Sequence, residues 1–308
     1  MITSLLQRHQ RVEPEASRAD LILTLRSALK LGKGFAAGKL GLSEQALLLY
    51  PTLLERCNTP QQRLALTLQT RQHCAVQMGL FPSTQEAMLS YAQLHAKATR
   101  ELHFLGLVGG RLEADLLAHL QPKGQTISLL ELEPNRSVPD NSEHCYLPEL
   151  RDKRVLIVSS IAELLCQRAN QSTFEAVWAK SGKPWFAPAQ VLPLPFPYCY
   201  DVRTQERFGS SDNLLEWIQE QIDPTTFDLA LIAGTSLGIP ITAAIKGLNR
   251  SAIALGGALQ VLFGVGGRRW WNDPHWQEHH ITPAWISVPA DQVPQVAGGY
   301  VDGGAYWW

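Results

Sequence analysis

"LIAGTSLGIPITAAIKGLNRSAIALGGALQVLFG", residues 231 to 264, decides the fold. A short apolar run ending at Ala233 leads into Gly234, Thr235, Ser236 and Gly238, then into the helical stretch ITAAIKG. SAIAL repeats the apolar run and ends on a second glycine pair, Gly256 and Gly257, before another helical stretch. Strand, turn, helix, strand, turn, helix is the repeating unit of a parallel sheet. Glycine lets the backbone bend sharply and approach a ligand, and a helix start offers unpaired N–H groups to an anion. Pro240 falls in the first helical turn, where it costs no hydrogen bond. Two such turns at neighbouring strand ends would face one crevice. The same pattern also suits a tight connection that binds nothing. The spacing is not GxGxxG and no GKS or GKT follows, so neither a dinucleotide fingerprint nor a nucleoside-triphosphate loop is supported.

The pattern extends upstream. FDLALIAG supplies the strand entering this stretch, and QVLPLPF another, followed by a helix over 213 to 222. Charged residues 151 to 154 lead into a strand over Val155 to Val158, with Ser160 and Glu163 as a cap for the next helix. HFLGLVGG (103 to 110) and ISLLEL (127 to 132) read as strands around the helix LEADLLAHL. Before these the chain reads as helical. Ser43 starts one helix with Glu44 in its first turn; Thr59, Pro60 and Gln62 form a capping box for a helix that Gly79 ends; Ser83 and Glu86 form another. The expected fold is α/β: an open, doubly wound, mostly parallel Rossmann-like sheet. A helical N-terminal region, 1 to 100, packs on the sheet domain, 101 to 308, as one compact unit. The strands are too few and too irregular for an eightfold barrel, and ligands are expected at strand ends. After residue 265 the periodicity stops, and this irregular tail carries six of the nine tryptophans.

Composition narrows the function. The 308 residues are 45% hydrophobic and 18% charged, with a formal net charge of −1, which argues against a general nucleic-acid binder. No apolar run is long enough to cross a membrane, and MITSLLQRHQRVEPEAS lacks the pattern of a secretory signal. The five cysteines are odd in number, unclustered and without a CxxC, as expected of reduced thiols in a cytoplasmic protein.

Two further stretches hold candidate ligand-binding residues. In GVGGRRWWNDPHWQEHH, Arg268 and Arg269 can grip a phosphate, and Trp270 and Trp276 can face a base or sugar ring. Packing of the tail onto the domain explains the same tryptophans. His275, His279 and His280 lack the HExxH spacing of a metal site. In AGKLGLSEQALLLYP, Lys39 and Gly41 precede a helix whose Glu44 is either a dipole-matched carboxylate or a site group.

GKLGLSEQALLLY resembles the G-R-(F or L)-G-x-x-E-(L or F) segment of the GT-D-fold glycosyltransferases and their relatives in surface-polysaccharide gene clusters. DKRVLIVSS, the run FDLALIAGTSLGIPITAAIKGLNRSAIALGGALQVLFGVGGRRWW and the terminal VDGGAYWW resemble the same group. The likeness runs from about residue 36 to the end, is loose at 55 to 100 and 170 to 225, and is most specific at 228 to 271. It implies a sugar transferase that takes a nucleoside-diphosphate sugar, with manganese or magnesium as cofactor, and a glycan or lipid-linked acceptor. Such a protein would be cytoplasmic or peripheral to the inner membrane face. It implies a diphosphate across Gly234, Thr235, Ser236, Gly238, Gly256 and Gly257, with Lys39, Gly41, Gln260, Arg269, Trp270 and Trp276 around the ligand. Arg268 and Glu44 are the implied catalytic groups, with Glu44 also the implied metal ligand. In the group an aspartate stands two places before the glutamate and an arginine where this chain has Lys39; here the aspartate position is Leu42. That departure motivates a second reading, a catalytically silent nucleotide- or glycan-binding regulator. A third, an oxidoreductase or methyltransferase on a similar sheet, lacks the GxGxxG support.

Overall fold

The computed structural model describes residues 5–6, 11–134, 145–293, 304, 306 and 307. Seven strands form one sheet: β1 (Phe35–Lys39), β2 (Phe104–Leu107), β3 (Gln125–Ser128), β4 (Arg154–Ser159), β5 (Gln190–Pro195), β6 (Leu229–Ala233) and β7 (Ser251–Ala254). Their order is β3-β2-β1-β7-β6-β4-β5, and every pairing is parallel. The fold is the open, doubly wound Rossmann-like α/β sheet. Helices cover both faces: α1 (Arg18–Leu31), α2 (Leu42–Glu55), α3 (Pro60–Gln72), α4 (Gln85–Arg100), α5 (Glu113–Leu120), α6 (Leu129–Leu132), α7 (Ala162–Arg168), α8 (Gln171–Val177), α9 (Val202–Phe208), α10 (Ser211–Ile222), α11 (Gly238–Gly247) and α12 (Ala258–Leu262). The tail adds α13 (Arg268–Trp271), α14 (Pro274–His279) and a two-stranded parallel pair, β8 (Val265–Gly266) with β9 (Ile286–Ser287). Among the described residues no helix is long and apolar enough to cross a membrane.

Strand alternation divides the core in two. Ala36, Leu156, Val158, Ala230, Ile232 and Ala252 face the side covered by α2, α4, α10 and α11. Phe35, Ala37, Val155, Ile157, Leu229, Leu231 and Ile253 face the side covered by α1, α8 and α12. A strand buried on both faces reads as a continuous apolar run, as β4, β6 and β7 do.

The division at residue 100 is corrected by β1. This strand lies inside the segment read as helical, yet it sits in the middle of the sheet between β2 and β7. Its sequence, FAAGK, is short and built from small residues because α11 crosses it closely. A Cβ on Gly34 would lie 2.4 Å from the Lys246 carbonyl oxygen, and one on Gly38 would lie 2.5 Å from Ile239 Cδ1. Packing selects against the β-branched residues that mark a strand.

Several helix starts also differ. The N-cap of α2 is Gly41 rather than Ser43, that of α4 is Thr84 rather than Ser83, and α7 follows Ile161 without a side-chain cap. The run ISLLEL is strand only to Ser128 and then turns into α6. The Thr59–Gln62 capping box forms, and the helix it opens runs on through a π-helical stretch, His73–Met78, to a left-handed Gly79.

Candidate functional site

The chain leaves β4 outward to β5 and leaves β6 the other way to β7, so the strand C-termini open a crevice between them. A cavity of about 190 Å³ lies there. Its floor is backbone. Gly234 follows β6 and Gly256 follows β7, and these two strands are neighbours in register, Ile232 opposite Ala254. The amides of Thr235, Ser236 and Gly257 donate to no acceptor among the described residues. Thr235 holds φ at +49°, a left-handed backbone that a β-branched residue rarely adopts. Its hydroxyl donates to the Gly234 carbonyl at 2.7 Å and lies 3.1 Å from the Cys199 Sγ. Strain of this kind is held by surrounding structure and collects at ligand-binding turns.

The opposite wall comes from β1 and α2. Lys39 ends β1, and its Cε lies 3.8 Å from where a Gly256 Cβ would stand. Glu44 folds back over its own helix start; a Cβ on Gly41 would meet its Oε2 at 2.5 Å. Ser236 Oγ is 2.8 Å from the Met78 carbonyl and 3.4 Å from Glu44 Oε1. One hydroxyl proton cannot serve both, and the shorter contact takes it, leaving the carboxylate open to the cavity. Glu44 thus occupies both positions considered for it, in the first turn of α2 and on the cavity wall.

The third wall is aromatic. Phe196, Tyr198 and Tyr200 line the cavity with Trp307. The Tyr198 and Trp307 rings meet edge to face at 5.1 Å, and Tyr198 lies 5.1 Å from Tyr200. Burial pushes the Tyr200 phenol upward, so it stays protonated, and it pushes the Cys199 thiol up to about 12, which makes that sulfur a poor nucleophile.

Of the residues singled out in the sequence, Lys39, Gly41, Glu44, Gly234, Thr235, Ser236, Gly238, Gly256, Gly257 and Gln260 line this cavity. Gln260 acts on the protein itself: its amide donates to the carbonyls of Tyr306 at 3.0 Å and Val265 at 3.3 Å. Gly257 leaves room for Tyr306, whose ring would sit 2.5 Å from a Cβ there. Arg269, Trp270 and Trp276 line a smaller adjoining cavity of about 30 Å³ that shares Lys39, Gly257 and Tyr306 with the large one. Arg269 Nη1 donates to the Tyr306 hydroxyl at 2.5 Å. Arg268 lines neither cavity, because α13 turns adjacent side chains about 100° apart. Among the described residues no three His, Cys, Asp or Glu side chains converge as a metal site.

The sequence reading did not include Gln77, Ser159, Ser160, Tyr198, Tyr200, Tyr306 or Trp307 among the site residues. Two signals for them were present. FPYCY places aromatics at alternate positions just after a strand, and VDGGAYWW ends on them. Residues 301–303, 305 and 308 of that ending lie outside the described residues.

No family model matches the chain, and no curated protein matches it. Among solved structures, one described as the selenomethionine-substituted structure of domain of unknown function 1792 (DUF1792) is similar to it. The two share 12% identity with a TM-score of 0.41, over 83% of this chain and 81% of the other.

Proposed function

We propose that the cleft binds a nucleoside-diphosphate sugar and that the protein transfers the sugar to a glycan or lipid-linked acceptor in polysaccharide biosynthesis. One observation carries this reading. Among the described residues, two backbone bends with unpaired amides, an unpaired lysine and an open carboxylate converge on one cavity with an aromatic wall. Free amides and an ammonium suit a diphosphate, aromatic faces suit a base or a sugar, and a carboxylate suits a hydroxyl. The resemblance at 228 to 271 supports the same ligand class.

In this reading the diphosphate lies over Gly234 to Ser236 and Gly256 to Gly257, and Lys39 balances the charge that grows on it as the sugar leaves. Glu44 accepts a hydrogen bond from a sugar hydroxyl or takes the acceptor's proton. Tyr198, Tyr200 and Trp307 cover the sugar and keep water from competing. A cytoplasmic site, near the membrane where the acceptor is lipid-linked, belongs to the same proposal.

Leu42 favours a second reading, the silent binding protein. It is 58% exposed where the resemblance expects an aspartate, so among the described residues no second carboxylate lines the cavity beside Glu44.

Thermal-shift measurements with UDP- and GDP-sugars, followed by turnover assays with glycan acceptors, test the proposal. Nucleotide sugars are expected to raise the melting temperature, and Glu44→Gln to abolish transfer while nucleotide binding persists. Stabilisation by NAD or S-adenosylmethionine instead would remove the reading. Binding without turnover across acceptors would leave the silent protein.

A further inference from the structure

On the nucleoside-diphosphate reading, we propose that this cleft neutralises the diphosphate with Lys39, aided by Arg269, and binds it without a divalent cation. Magnesium-type sites use one or two carboxylates together with phosphate oxygens and water. Among the described residues, Glu44 is the one acidic residue lining the large cavity, and Glu133 the one lining the small cavity. Leu42 removes the second carboxylate from the first turn of α2, and among the described residues no group of three donor side chains gathers anywhere. The described residues do not fit a protein-held metal.

The positive charge is instead built into the sheet. Lys39 is half-buried at the end of β1, on the wall shared by both cavities. It makes no hydrogen bond or ion pair among the described residues, unlike Lys183 and Lys246. Lys183 donates to the Pro134 carbonyl at 2.7 Å, and Lys246 donates to the Glu101 carbonyl at 2.5 Å and pairs with its carboxylate at 3.6 Å. An ammonium on a cavity wall without a counter-ion is available to pair with an anionic ligand. Two features aim it at one. The second bend, with Gly256 at φ +57°, lies within van der Waals reach of the Lys39 stem and carries the Gly257 amide, which is unpaired among the described residues. Arg269, packed on the Tyr306 ring at 5.5 Å, brings a second cation to the small cavity, which shares Lys39 with the large one. These two cations and the amides supply the charge that a metal would otherwise carry.

Calorimetric titration of UDP and GDP into the full chain, in EDTA and again in excess manganese, tests the assignment. The expected result is similar affinity in both conditions. Lys39→Met, checked for an unchanged melting curve, is expected to weaken binding about tenfold or more in both. Lys39→Arg, which keeps the charge, is expected to restore most of it. Binding that appears only with manganese, or that survives Lys39→Met unchanged, overturns this inference and leaves the nucleotide reading standing. Failure of both diphosphates to bind in either condition overturns the nucleotide reading and this inference with it.

Discussion

On one side of the cleft β6 and β7 end in backbone, a strained turn at Thr235 and a bend at Gly256, hung on buried residues such as Leu237, Ile239 and Ile241. On the other side β1 and α2 end in side chains, Lys39 and Glu44, which reach into the cavity and contribute little to the core. A backbone wall is rigid because its position is set by the packing beneath it, so its amides are held in place before any ligand arrives. A side-chain wall carries formal charge and can change without disturbing the fold. The shape of the site and its charge are therefore separable properties of this molecule, carried by different segments of chain.

The largest expected effect comes from undermining the backbone wall. Leu237 is fully buried between the turn and α11, and Leu237→Ala should destabilise by about 2–5 kcal/mol in urea unfolding, with ligand binding lost alongside. A milder result, with the turn's binding intact, would mean the bend holds its shape without the core beneath.

Acid acts on the core from within. His95, on α4, is fully buried with neither ring nitrogen partnered among the described residues. Burial lowers its pKa from 6.5 to about 4. The folded state therefore holds this ring neutral. That contribution is fully present above pH 6.5 and is lost as pH falls toward 4, because the unfolded chain takes up the proton first. The loss over that window is on the order of 3 kcal/mol. Denaturation midpoints across the window, compared with those of His95→Leu, check it, since the variant should lose this part of the slope.

The smallest stability effect belongs to the charged wall. Glu44→Gln should change unfolding free energy by no more than about 0.5 kcal/mol, since the side chain faces a cavity. A large destabilisation would show that Glu44 serves α2 as a dipole partner more than it serves the site, and would blur the contrast between the walls.

Particular residues show how far local reading goes. The β6–α11–β7–α12 unit is legible because each strand is a continuous apolar run bounded by glycine and each helix start is marked. The two bends, and their facing one crevice, follow from that unit alone. Glu44 is legible as a first-turn carboxylate, and Lys39 only by resemblance. Gln77 is not legible at all, since it enters the cavity through a π-helical stretch that no spacing in the sequence announces. Tyr198 and Tyr200 lie in a loop whose course is set by packing against Gly79 and Trp307.

By itself the sequence determined the parallel crossover, the two glycine bends and the polarity of the helices that follow them. Each of these is a short-range property: periodicity, capping and backbone freedom act over a few residues. Tertiary structure alone decided that β1 enters the sheet between β2 and β7. That placement brings Lys39 and Glu44 to the same cavity as Thr235 and Gly256, with Glu44 reaching Ser236 from 192 residues away. The physical reason is that a small, glycine-bearing strand announces itself only through the helix it must fit beneath, and that helix comes much later in the chain.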